Sequence, residues 1–80
     1  MKVKSRSTYK LDLHGLTYEE AEGQCHKFIN KYWLSNCEGQ IITGNSISMK
    51  EVVIKIINQY KLDFQVGSLN NFGIIRVWFE

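Results

Sequence analysis

At Gly15 the chain changes its hydrophobic period, and it does so with almost no linking residues. Before the glycine, Tyr9, Leu11 and Leu13 alternate with Lys10, Asp12 and His14. That is the period-two pattern of a strand with Tyr9, Leu11 and Leu13 turned to a core. After it, Ala21, Cys25, Phe28, Ile29, Tyr32 and Trp33 recur at helical spacing. Between the two lies Thr17-Tyr18-Glu19-Glu20, the form of a capping box. The Thr17 hydroxyl can accept from the Glu20 amide while the Glu20 carboxylate reaches back. Leu16 and Ala21 stand where a hydrophobic staple would be. The spacing predicts a first helix from Tyr18 to Ser35, packed by its apolar stripe on a sheet. His26 lies beside the stripe without a Cys or acidic partner at metal-ligand spacing, and reads as a surface histidine.

The same succession follows once more. Asn36-Cys37-Glu38-Gly39 reads as a turn, Gln40-Ile41-Ile42-Thr43 as a short apolar strand, and Gly44-Asn45-Ser46-Ile47 as the next loop. Ser48-Met49-Lys50-Glu51 has the form of a second capping box. Met49, Val52, Val53, Ile56, Ile57 and Tyr60 give a second helix, from Met49 to Tyr60, its buried stripe. The remaining residues return to period two. Phe64 and Val66 alternate with Gln65 and Gly67, and Asn70-Asn71-Phe72-Gly73 is rich in turn formers. Ile75, Val77 and Phe79 then point one way and Ile74, Arg76 and Trp78 the other, completing a hairpin.

The order is therefore strand, helix, strand, helix, strand, strand. Right-handed crossovers put both helices on one face of the sheet. The expected fold is a two-layer α/β sandwich with a four-stranded mixed sheet whose other face is open. There is no internal repeat, linker or low-complexity run. Residues 9–80 form one domain on this reading, behind a loose basic arm of residues 1–8. Lys2, Lys4, Arg6 and Lys10 give the first ten residues a charge of +4 within a net charge of +2. A basic arm ahead of a near-neutral body suits phosphate contacts, and equally suits a solvated terminus. No apolar run approaches the ~20 residues of a membrane span. No secretion leader is recognisable. Cys25 and Cys37 form no Cys-x-x-Cys pair and read as reduced thiols in a cytoplasmic protein.

Chemistry gathers after the first two strands. Residues two apart on a strand share a face, so the Asp12 carboxylate is expected to accept a hydrogen bond from the His14 imidazole. That would leave the other ring nitrogen free as a general acid or base, or as a phosphate contact; the alternative is a structural pair. Gly44-Asn45-Ser46-Ile47-Ser48, after Thr43, opens a helix, whose first amides attract anions. Lys50, in the first helical turn, adds a positive charge. Arg76 and Trp78 offer a cation and a flat ring on the open sheet face, where bases can stack or another copy can dock.

Leu11-Asp12-Leu13-His14-Gly15-Leu16-Thr17 closely resembles the opening motif of the Smr (small MutS-related) domain. Ile41-Ile42-Thr43-Gly44-Asn45-Ser46 stands where that family has a Thr/His-Gly-x-Gly motif. The resemblance implies a fold like the carboxyl-terminal domain of translation initiation factor three, with strand order 1-2-4-3 and strand 4 antiparallel. It also implies nucleic-acid binding, with endonuclease or nickase action on DNA or RNA phosphodiesters. Asp12, His14, Thr43 and Gly44 carry over as that family's functional positions. Together with the reading of the residues above, Asp12 and His14 become the catalytic pair, and Thr43, Gly44, Asn45, Ser46, Lys50 and Arg76 the phosphate contacts. No cofactor is implied, and a divalent metal is left open. The alternative is a non-catalytic module that binds nucleic acid or the ribosome. The second motif departs from the family in Ser46, which replaces a glycine and restricts the backbone. It departs again in Lys50, a point charge where the family has a basic residue, usually Arg. The departures weaken the case for cleavage more than the case for binding.

Overall fold

Residues 7–33, 35–68 and 71–79 are described by the computed structural model of the chain. The elements in order are β1 (Thr8–Asp12), α1 (Tyr18–Tyr32), β2 (Cys37–Ile42), α2 (Ile47–Gln59), β3 (Asp63–Ser68) and β4 (Asn71–Phe79). The strands form one sheet in the order β1-β2-β4-β3. β1 runs parallel to β2, and β4 is antiparallel to both of its neighbours. This is the expected mixed sheet and order.

The period-two pattern decides which side of the sheet is covered. Leu13, Ile41, Ile75, Val77 and Phe79 join Ala21, Cys25 and Ile29 of α1 and Val53, Ile56 and Ile57 of α2 in one buried cluster. Both helices therefore lie on the same face. On the other face Glu38, Gln40, Ile42, Ile74, Arg76 and Trp78 are half-buried, and no described element lies over them. β1 is an edge strand, so its Tyr9 does not enter the core as expected. It stays 38% exposed, stacked on Tyr32 with ring centroids 4.2 Å apart.

Several boundaries differ from the sequence reading, each for a local reason. Cys37, Glu38 and Gly39 belong to β2 and not to a turn. Gly39 pairs with Tyr9 on one side and Val77 on the other. Its missing side chain is what admits two aromatic rings: a Cβ there would lie 2.7 Å from Phe28 Cε2 and 2.8 Å from Phe79 Cε2. The turn shrinks to Ser35 and Asn36. The Ser35 amide and hydroxyl both donate to the Tyr32 carbonyl and end α1 earlier than Ser35. Asn36 then takes φ 57°, a left-handed angle that Asn tolerates. α2 starts at Ile47 because Ser46, and not Ser48, is its cap: the Ser46 hydroxyl accepts from the Met49 amide at 3.1 Å. Asn71 to Gly73 belong to β4, and residues 69–70 of the expected turn lie outside the described residues. Thr8 is already in β1, and the Ser7 carbonyl accepts from the Glu38 amide. The expected arm of residues 1–8 therefore overlaps the sheet at Thr8 and touches it at Ser7, and residues 1–6 lie outside the described residues.

His26 is not a simple surface residue. Its Nδ1 is hydrogen-bonded to the Tyr60 hydroxyl at 2.8 Å, and Asn30 Nδ2 donates to the same oxygen at 3.4 Å. The three residues tie α1 to the end of α2. Both cysteines are free and buried.

Two outcomes follow from the core. Gly39→Ala should lower stability by about 1–3 kcal/mol, because neither buried ring can retreat; urea denaturation measures it. Burial pushes the Cys25 thiol up to about 12 from its ordinary 9.0. The folded chain then holds a proton that the unfolded chain releases, so this contribution is intact below pH 9 and is lost as pH rises toward 12. Stability should fall in that window by up to about 1.4 kcal/mol per pH unit. Cys25→Ala should flatten that slope in alkaline denaturation curves.

Candidate functional site

The parallel pairing of β1 and β2 carries both strands to the same edge of the sheet. Their last rung beyond the strands is a bond from the Leu13 amide to the Ile42 carbonyl at 2.9 Å. Each chain then turns out at once into its helix. The two turns face one another across a cleft of about 540 Å³ lined by His14, Thr17, Tyr18, Asn45 and Ser46, with buried Leu13 and Met49 at its base. Residues separated by a whole helix in sequence thus share one opening.

Gly15 (φ +85°) and Gly44 (φ +68°) hold the two turns. Both are left-handed conformations that a side chain resists. On the first turn the Asp12 carboxylate accepts a hydrogen bond from the main-chain amide of His14 at 2.9 Å. The expected bond to the imidazole is not formed. β1 ends at Asp12, so His14 lies beyond the pleat, and the carboxylate closes an Asx-type turn on the amide that the sheet leaves unpaired. His14 is exposed, at the cleft, and its ring has no protein partner among the described residues. The capping box forms as expected, with Glu20 amide to Thr17 hydroxyl at 3.1 Å and Thr17 amide to Glu20 carboxylate at 3.0 Å.

The second turn spends part of its expected donors internally. The Thr43 and Gly44 amides both donate to the Gly73 carbonyl, at 2.8 and 3.1 Å. Thr43 is 3% exposed, and its hydroxyl donates toward the carbonyls of Gly44 and Gly73. Lys50 Nζ donates to the Gly44 carbonyl at 3.0 Å, which holds its charge against the turn. The amides of Asn45, Ser46, Ile47 and Ser48 have no acceptor among the described residues. The Ser46 hydroxyl accepts from Met49 and keeps its own proton to donate. The first turn of α2 contains no acidic residue, so no carboxylate stands among the amides at its positive end; the nearest acidic residue on that helix is Glu51, just after Lys50. By contrast, Glu19 and Glu20 sit in the first turn of α1.

Arg76 is not part of the cleft. It lies on the sheet face away from the helices, where Nε is 2.9 Å from a Glu38 carboxylate oxygen. Its guanidinium carbon is 5.1 Å from the centre of the Trp78 ring. The hydrogen bond and charge of Glu38 raise the guanidinium pKa further above its ordinary value. Gly73 is the supporting residue that sequence reasoning missed: a Cβ on it would meet the Gly44 backbone at 3.2 Å. Its role depends on β2–β4 pairing, which the sequence pattern does not encode.

Among the described residues no group of three or more His, Cys, Asp or Glu is placed to hold a metal ion. No helix of those residues is long and apolar enough to cross a membrane. In comparisons with protein-family models, curated proteins and solved structures, the chain has no significant match.

Gly73→Ala should displace the second turn by a few tenths of an ångström. The expected result is a shift of the Gly44–Ile47 amide resonances with loss of about 1–3 kcal/mol of stability. Amide spectra and urea denaturation would register it.

Proposed function

We propose that the chain binds nucleic acid, with a backbone phosphate seated in the cleft between the two strand-to-helix turns. The observation that carries this reading is the convergence of two things at one opening. Four successive main-chain amides, Asn45 to Ser48, lack acceptors among the described residues. The unpartnered imidazole of His14 faces the same cleft. Backbone amides at a helix start, backed by a cation, are suited to phosphate oxygens. The likeness of Leu11–Thr17 and Ile41–Ser46 to the Smr motifs points the same way. On this reading Ser46 contributes its amide and hydroxyl, Lys50 its field, and Thr43 and Gly44 hold the turn.

Cleavage is the second reading, favoured by the position of His14. A ring exposed beside a phosphate can take a proton from an attacking hydroxyl or give one to a leaving oxygen. Asp12 would act there as a positioning residue: it fixes the turn through the His14 amide and does not touch the ring. The amides of Asn45 to Ser48 would steady charge that builds on the phosphoryl oxygens.

Two variants separate the readings. Ser46→Asp keeps a good helix cap but places a carboxylate among the amides. It should leave the melting temperature within a few degrees and weaken oligonucleotide binding at least tenfold. His14→Ala, at an exposed position, should leave stability within about 0.5 kcal/mol. It should abolish cutting of labelled single-stranded RNA or branched DNA while sparing most binding, assayed with and without a chelator. Unchanged binding by Ser46→Asp refutes the phosphate site, and unchanged cutting by His14→Ala refutes the catalytic assignment.

A further inference from the structure

A second concavity runs beside the first, along the free edge of the sheet. It has a volume of about 240 Å³ and is lined by Lys10, Leu11, Gln24, Lys27, Lys31 and Tyr32, between β1 and α1. Leu11 borders this groove and Leu13 borders the cleft. Those residues are two apart on one strand, or roughly 7 Å, so the groove and the cleft are neighbours on one path.

Of the groove's three lysines only Lys31, in the last turn of α1, suits that helix's negative end. Lys27 and Lys31 are four residues apart on α1, a like-charge spacing that disfavours a helix. Lys10, Lys27 and Lys31 are exposed, and none has an ion-pair partner among the described residues. The acidic residues of α1, Glu19, Glu20 and Glu22, fall toward its other end, and Glu20 is held by the Thr17 amide. At the groove the cations stand beside aromatic surface: Tyr32 lines it, Lys31 Nζ is 5.4 Å from the centre of that ring, and the 38%-exposed Tyr9 stacks on Tyr32.

Building on the phosphate site above, we infer that a single strand of nucleic acid leaves the cleft along this groove. Its phosphates lie on Lys10, Lys27 and Lys31, and an unstacked base lies on Tyr9. Cations that follow a backbone, interleaved with rings that accept any base, are how proteins hold single strands without reading sequence. A duplex offers the lysines its phosphates but keeps its bases stacked internally, so it gains nothing from Tyr9. The groove thus selects single-stranded over double-stranded ligand.

The test uses fluorescently labelled 12-nucleotide single strands, 12-base-pair duplexes, mononucleotides and an acidic peptide of the same charge as the 12-mer. They are titrated against the parent chain, Lys27→Gln/Lys31→Gln and Tyr9→Leu, with Ser46→Asp as the cleft control and circular dichroism as the check on folding. The double lysine variant should bind the single strand about tenfold more weakly. It should also flatten the salt dependence of log K by about 1.4 and leave the mononucleotide, which fills the cleft alone, unchanged. Tyr9→Leu should cost the single strand about tenfold and the duplex nothing. If Ser46→Asp loses binding while both groove variants match the parent, this inference falls and the phosphate site stands. If the parent binds no oligonucleotide, the phosphate site itself falls, and this inference with it. Equal losses on single strand and duplex in Tyr9→Leu, or a peptide bound as tightly as the 12-mer and indifferent to Tyr9→Leu, overturn the single-strand assignment.

Discussion

Everything in this molecule depends on β1 and β2 being parallel neighbours. Antiparallel neighbours joined by a tight turn would send their ends to opposite edges of the sheet. Parallel ones need a crossover, and α1 supplies it. The register from Thr8↔Glu38 to Asp12↔Ile42, extended by the Leu13 amide on the Ile42 carbonyl, brings both strands to one edge together. The two glycine turns then open side by side, and both helices begin at the same cleft.

The core enforces that pairing. Gly39 sits in the middle of β2, under the rings of Phe28 and Phe79, where even a methyl group would collide with both. The rings lock α1 over the centre of the sheet, and burial of Leu13 and Ile41 fixes which faces of β1 and β2 point inward. A slip of one residue would move each strand's apolar set to the uncovered face. That face can remain open because its polar groups are matched across strands, most clearly Arg76 with Glu38.

Polar groups at the cleft divide into those that hold the turns and those left over. Asp12, Thr43, Gly44 and Gly73 satisfy main-chain groups that the strand ends would otherwise leave bare, since unpaired buried amides and carbonyls are costly. The His14 ring and the amides of Asn45 to Ser48 are not used in this way. The rigidity of the first set is what gives the second a fixed geometry, and preorganised donors bind anions without first ordering themselves.

Element order, strand faces, the Thr17–Glu20 capping box and the meeting of the two glycine turns were legible in the sequence. Each follows from hydrophobic period, local capping chemistry or the handedness of crossovers, all of which act over a few residues or are general to polypeptides. The second cap was misplaced by two residues, because Glu51 gave Ser48 the capping-box pattern while the path of the chain out of β2 made Ser46 the extended cap. Other features had no signal in the linear chain. The Asp12 carboxylate turned to a backbone amide where β1 stopped, Arg76 was taken by a glutamate thirty-eight residues away, and the edge position of β1 left Tyr9 stacked on Tyr32 beside three lysines. Sequence by itself determined what each segment would be. Tertiary structure decided which donors, cations and rings remained free, because that depends on partners brought together only by the register of the sheet and the packing of α1 against it.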